Sequence, residues 1–175
     1  MKSSRDGLGS EFLARKSDVT RLRQALPVLD DVLIVEDEIP DADRLQATLR
    51  VMFGYDLQVR CAQTLGQALD CIIARKPALV LLDDVLKPSD TALQAIPFLR
   101  HADYTGPIVV VSGQVTRNHR VKLLAAGATD VIHKDDVDSV RLGEALLRVF
   151  SAEPNGQPGD AGTKSQSTES AESGT

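Results

Sequence analysis

The chain has 175 residues, 42% of them apolar but only 3% aromatic, and a formal net charge of −5. That length suits one domain with extensions, and an acidic chain nearly without stacking rings is no general nucleic-acid binder. No apolar run approaches the ~20 residues that cross a bilayer, and two cysteines, Cys61 and Cys71, are too few for a disulfide framework or a structural zinc site. A soluble, cytoplasmic protein is expected, with neither membrane nor nucleic acid as partner.

In chain order, residues 1–12 are polar and Gly/Ser-rich, and Gly9-Ser10-Glu11-Phe12 reads as a translated cloning junction. They are set aside as a vector-derived or disordered leader. Over 13–28 a short helical extension is expected, capped by Ser17, with Val19, Leu22, Ala25 and Leu26 on one side and a halt near Pro27. Over 29–150 short apolar runs alternate with amphipathic stretches. Strands are expected at 32–35, 57–62 (the weakest), 79–82, 108–111 and 131–132. Helices are expected at 41–53, 65–75, 91–101, 116–126 and 137–150, with Gly54 and Gly127 where C-terminal caps fall. Runs that are apolar without alternation suit strands buried on both faces, so this unit is a doubly wound α/β domain with a parallel sheet. Residues 151–175 lack apolar periodicity and read as a disordered tail.

Ligands of such sheets bind beyond the carboxyl ends of the strands. Glu36, Asp37 and Glu38 follow the first run, Asp83 and Asp84 the third, Ser112 and Gly113 the fourth, and His133 and Lys134 the fifth. Clustered carboxylates need a cation or protons between them, and an all-oxygen set without His or Cys suits Mg²⁺. A carboxylate can also accept a phosphoryl group. An ammonium such as Lys134 and a hydroxyl such as Ser112 would stabilise the added charge.

These motifs carry a resemblance. Val35-Glu36-Asp37-Glu38, Leu81-Leu82-Asp83-Asp84-Val85-Leu86, Val111-Ser112-Gly113 and Lys134, in this order and each at a strand end, resemble the receiver domains of two-component response regulators. The resemblance covers roughly 31–150. It implies a flavodoxin-like (βα)5 fold with strand order 2-1-3-4-5. It also implies Mg²⁺ held by Glu36, Asp37, Asp83 and the backbone carbonyl of Val85, with Ser112 and Lys134 contacting the phosphoryl group. The implied partners are a histidine kinase or histidine phosphotransfer protein as donor and a downstream protein on the face of the fourth helix, fifth strand and fifth helix. Homodimerisation stays open.

The acceptor can be read two ways. Spacing to Pro88 favours Asp84. Asp83 is preferred because it ends the apolar run, lies the family's usual distance after Pro77, and puts Leu86 in the hydrophobic third position. Three departures from the family stand out: Val131 replaces an aromatic residue, Asp135 replaces the proline after the lysine, and Gly113 replaces alanine. The expected function is a phosphoryl-accepting response regulator without a DNA-binding output domain, and not an enzyme. Its rivals are an unphosphorylated docking module and an aspartyl-phosphate hydrolase. The hydrolase lacks a general acid/base where Val85 sits, and Val85 with Gln114 predicts slow loss of the phosphoryl group. His101 and His119 are expected at the surface. Arg117, His119, Arg120 and Lys122 read as a solvated helix face, Cys61 and Cys71 as core or half-buried spacers, and His133 as structural or solvent-facing.

Overall fold

The computed structural model describes residues 6–151. In chain order the elements are α1 (Asp6–Ala25), β1 (Asp31–Val35), α2 (Ile39–Phe53), β2 (Gln58–Ala62), α3 (Leu65–Ala74) and β3 (Leu79–Asp83). A ribbon of two-residue strands follows, β4 (Val85–Leu86) and β5 (Asp90–Thr91). Then come α4 (Ala92–His101), β6 (Ile108–Ser112), α5 (Arg117–Ala126), β7 (Asp130–His133), a 3₁₀ turn over Lys134–Asp136 and α6 (Ser139–Ser151).

The sheet is parallel, in the order β2-β1-β3-β6-β7. With the β4–β5 ribbon set aside, this is the 2-1-3-4-5 order of the flavodoxin-like fold. Every residue of β1, β3 and β6 is buried, as aliphatic runs covered on both faces must be. Because successive strand side chains point to opposite faces, each run feeds two cores. Val32, Ile34, Leu79, Leu81, Val109, Val111 and Ile132 pack with α2 and α6. Leu33, Val35, Val80, Leu82, Ile108, Val110 and Val131 pack with α3, α4 and α5.

Helix ends follow the expected chemistry. Thr64 and Thr116 cap α3 and α5 by accepting the N–H groups of Gln67 and His119. Gly127 ends α5 in the left-handed region at φ 112°, where a side chain would be strained.

The N-terminal helix departs from expectation. It starts at Asp6, so Ser17 lies inside it rather than at its start. No proline interrupts the chain before Pro27, and Glu11 to Lys16 are mostly good helix formers. The end falls where Pro27 requires it. Leu26 and Leu29 are buried beside α2 and α6. Leu22 lies against Gly143 of α6, where a Cβ would meet its Cδ1 at 3.0 Å. Residues 1–5 of the leader and 152–175 of the tail lie outside the described residues. Cys61 is exposed on the edge strand β2 and Cys71 half-buried on α3, so only the second is the half-buried spacer expected.

Candidate functional site

Strand alternation sorts the strand-end residues before any contact is considered. Glu36 continues the parity of Ile34, Asp83 that of Leu81 and Lys134 that of Ile132, all on the α2/α6 side. Asp84 and Ser112 continue the parity of Leu82 and Val110, on the α3/α4/α5 side. Two adjacent networks result.

The first network centres on Lys134. Its ammonium donates to Glu36 Oε2 and Asp41 Oδ2, each at 3.0 Å, and lies 3.0 Å from Asp83 Oδ1. Glu36 and Asp83 are only 2% and 6% exposed. Burial pushes the Asp83 carboxyl up from the usual range, against the lowering pull of Lys134. Burial does the same at Glu36, opposed by Lys134 and helped by the Asp83 charge. Burial works against the Lys134 charge as well. The carboxylates of Asp41, Asp83 and Glu36 outweigh it and raise the ammonium above its usual range. Glu36, Asp37 and Asp83 each offer an oxygen, all within 4.8 Å of one another. This hard, all-oxygen donor set fits Mg²⁺.

The second network centres on Asp84. Its Oδ2 accepts the Ser112 hydroxyl at 2.7 Å and lies 2.7 Å from His119 Nε2. Ser112 in turn accepts the Gln114 N–H at 3.1 Å. Both networks open into one cleft lined by Asp37, Asp83, Asp84, Val85, Ser112 and Lys134 among others. The exposed Val85 side chain stands at its wall. Lys87 stands over its rim, 3.6 Å from Asp37 Oδ2 and paired with Glu38.

Glu36, Asp37, Asp83 and Lys134 therefore come together, whereas Ser112 lines the same cleft but is bonded to Asp84. Two expectations are corrected. His119 is half-buried and tied to Asp84 rather than a surface residue. Arg120 is half-buried and donates to Asp130 Oδ1 and to the Val131 carbonyl, each at 2.5 Å, rather than belonging to a solvated face. Asp41 was missed because an acid in the first turn of a helix already has a sufficient local explanation in the helix dipole. His119 was missed because its partner lies 35 positions away and a basic run surrounds it. His133 is structural, its Nδ1 accepting the Asp135 N–H at 3.1 Å.

The decisive comparison is with families. The model of the response regulator receiver domain matches residues 32–146, most of the chain. The chain belongs to the response regulator receiver family.

Phosphoryl acceptance is general for that family, as are Mg²⁺ binding at an acidic cluster and interaction with histidine kinases and downstream partners. Receiver domains are signalling modules rather than typical enzymes. Solved receivers share the fold. The receiver domain of NtrX from Brucella abortus is 27% identical, with 70% of this chain and 100% of that chain covered at a TM-score of 0.62. The signal receiver domain of the response regulator NarL from Mycobacterium tuberculosis is 18% identical, with 73% and 100% covered and a TM-score of 0.62. A two-component response regulator from Clostridium difficile is 17% identical, with 70% and 96% covered at 0.61. Among the described residues no helix is long and apolar enough to cross a membrane.

Proposed function

We propose that this receiver takes a phosphoryl group from a histidine kinase or histidine phosphotransfer protein onto Asp83 and thereby switches the binding of a protein partner. The observation that carries the reading is the Asp83 carboxylate at the end of β3, 3.0 Å from the Lys134 ammonium and within 4.8 Å of the oxygens of Glu36 and Asp37.

In the proposed transfer an Asp83 carboxylate oxygen attacks the phosphorus of the donor's phosphohistidine. A P–O bond forms, the P–N bond breaks, and the leaving imidazole nitrogen takes up a proton. Lys134 holds the Asp83 carboxylate in place beforehand and offers its ammonium to the oxygens that gain charge. Glu36, Asp37, Asp83 and the Val85 carbonyl would hold Mg²⁺, which when bound neutralises the incoming phosphoryl charge. Asp41 and Glu36 share Lys134 with Asp83 and so limit its wandering. Asp84, engaged with Ser112 and His119, meets no ammonium among the described residues, which supports Asp83 as acceptor over its neighbour. The apolar Val85 at the cleft wall cannot orient an attacking water by a hydrogen bond, which supports a long-lived aspartyl phosphate.

The test is incubation with acetyl phosphate and Mg²⁺. One phosphoryl group per chain, abolished by a chelator, is expected. Sustained turnover of the donor would contradict the reading in favour of a hydrolase. No uptake from acetyl phosphate or from phosphorylated kinases would leave a docking module instead.

A further inference from the structure

The Ser112–Asp84–His119 network stands apart from the Lys134 network that holds the acceptor, yet it begins one residue from it. The β3–β6 register pairs Asp83 with Val111, so Ser112 and Asp84 sit side by side one step further along. Ser112 is 1% exposed and has a single O–H to give. Its nearest acceptor is Asp84 Oδ2 at 2.7 Å, ahead of the Gln114 carbonyl at 3.1 Å, and the same Asp84 oxygen meets His119 Nε2 at 2.7 Å. His119 lies in the first turn of α5, its own N–H held by the cap residue Thr116 at 3.2 Å. A continuous polar chain thus runs from the floor of the cleft to the start of a helix. On the same face Val131 is buried among aliphatic side chains, and its side chain offers no polar atom for the purpose.

We propose that Asp84 and His119 are positioning residues that carry the state of Asp83 to α5, with the Ser112 hydroxyl as the exchanged partner. The proposal rests on the reading of Asp83 as phosphoryl acceptor. A phosphoryl group there brings close to two negative charges and three strong acceptor oxygens into the cleft that Ser112 lines. The bond from Ser112 to Asp84 is already charge-assisted, so the phosphoryl oxygens compete for the hydroxyl through their greater number and charge, and the serine turns to them by a change of rotamer. Asp84 Oδ2 then keeps His119 alone, beside a neighbour that has become more negative. The bond between His119 and Asp84 shortens or swings, and the first turn of α5 follows it. The unmodified receiver is the latched state, in which Asp84 occupies the serine proton.

The experiment uses the full chain, ¹⁵N-labelled, with Mg²⁺ and beryllium fluoride as the phosphoryl mimic. Bound ¹⁹F signal reports occupancy independently of any switching. In the wild type the His119 ring nitrogens and the α5 amides are expected to shift with occupancy. In His119→Ala occupancy is expected to be retained, with amides around Asp83 and Lys134 still shifting and most of the α5 shift lost. In Asp84→Asn the His119 ring is expected to stop responding; should that variant not fold, His119→Ala decides alone. An undiminished α5 shift in His119→Ala at full occupancy overturns the proposal. Absence of any bound ¹⁹F signal in the wild type overturns the acceptor reading itself, and the proposal with it.

Discussion

Lys134 Nζ stands 3.0 Å from Asp83 Oδ1, and Glu36 and Asp41 hold the same ammonium at the same distance. Lys134→Met removes a cation shared by three carboxylates, two of them buried. Charge-assisted hydrogen bonds are each worth about 1.5–3 kcal/mol, and part of the loss is recovered when the freed carboxyls take up protons. The expected net cost is about 2–3 kcal/mol by urea denaturation at neutral pH in chelator, with Mg²⁺ restoring much of it. A variant as stable as the wild type would show that the cluster does not depend on this ammonium.

Burial raises the carboxyls of Asp83 and Glu36 above their usual range. Between the ordinary carboxylate range and the raised values, the unfolded chain has released protons that the folded chain still holds. Their contribution to stability is therefore full below the ordinary range and lost as pH rises through the raised values. In metal-free buffer the wild type should lose stability relative to Asp83→Asn as pH rises from the ordinary carboxylate range through the raised values. A wild type that gains on the variant over that span contradicts the assignment. Denaturation curves at successive pH values decide it.

Lys87 lies 3.6 Å from Asp37 Oδ2 and pairs with Glu38, so its ammonium competes with a divalent cation for the same oxygens. Lys87 is largely exposed, and exposed pairs are weak and screened by salt. Lys87→Ala should tighten Mg²⁺ binding about two- to five-fold at low salt, the difference shrinking in 0.5 M salt. Titration calorimetry measures it, and weaker binding in the variant would reverse the role given to Lys87.

Gly143 of α6 leaves room for Leu22 of α1 and Met52 of α2, which a Cβ would approach at 3.0 and 3.1 Å. Gly143→Val should cost about 1–3 kcal/mol by overpacking. In a Leu22→Ala background the added cost should be smaller, because the side chain it strikes has been removed. Strictly additive costs would mean that α1 does not rest on α6 there.

The strands and helices of the sheet were legible within a residue or two because aliphatic runs such as Leu79–Leu82 leave no alternative to a strand covered on both faces. Alternation then assigns Glu36, Asp83 and Lys134 to one side of the sheet from their numbers alone. What stayed hidden were contacts that no local pattern encodes. Asp41 reaches Lys134 from 93 positions away, and His119 reaches Asp84 from 35. The β4–β5 ribbon was equally hidden, since Val85–Leu86 and Asp90–Thr91 are too short to show a period. The start of α1 was misjudged because a serine that could cap a helix can also lie inside one.

Asp83 and Asp84 are neighbours that end in separate networks, and the account depends on the first being the acceptor. Wild type, Asp83→Asn and Asp84→Asn proteins are incubated with acetyl phosphate and Mg²⁺ and weighed intact. A single added phosphoryl group on the wild type and on Asp84→Asn, absent from Asp83→Asn, is the result predicted. A phosphoryl group retained by Asp83→Asn and lost only from Asp84→Asn would contradict it.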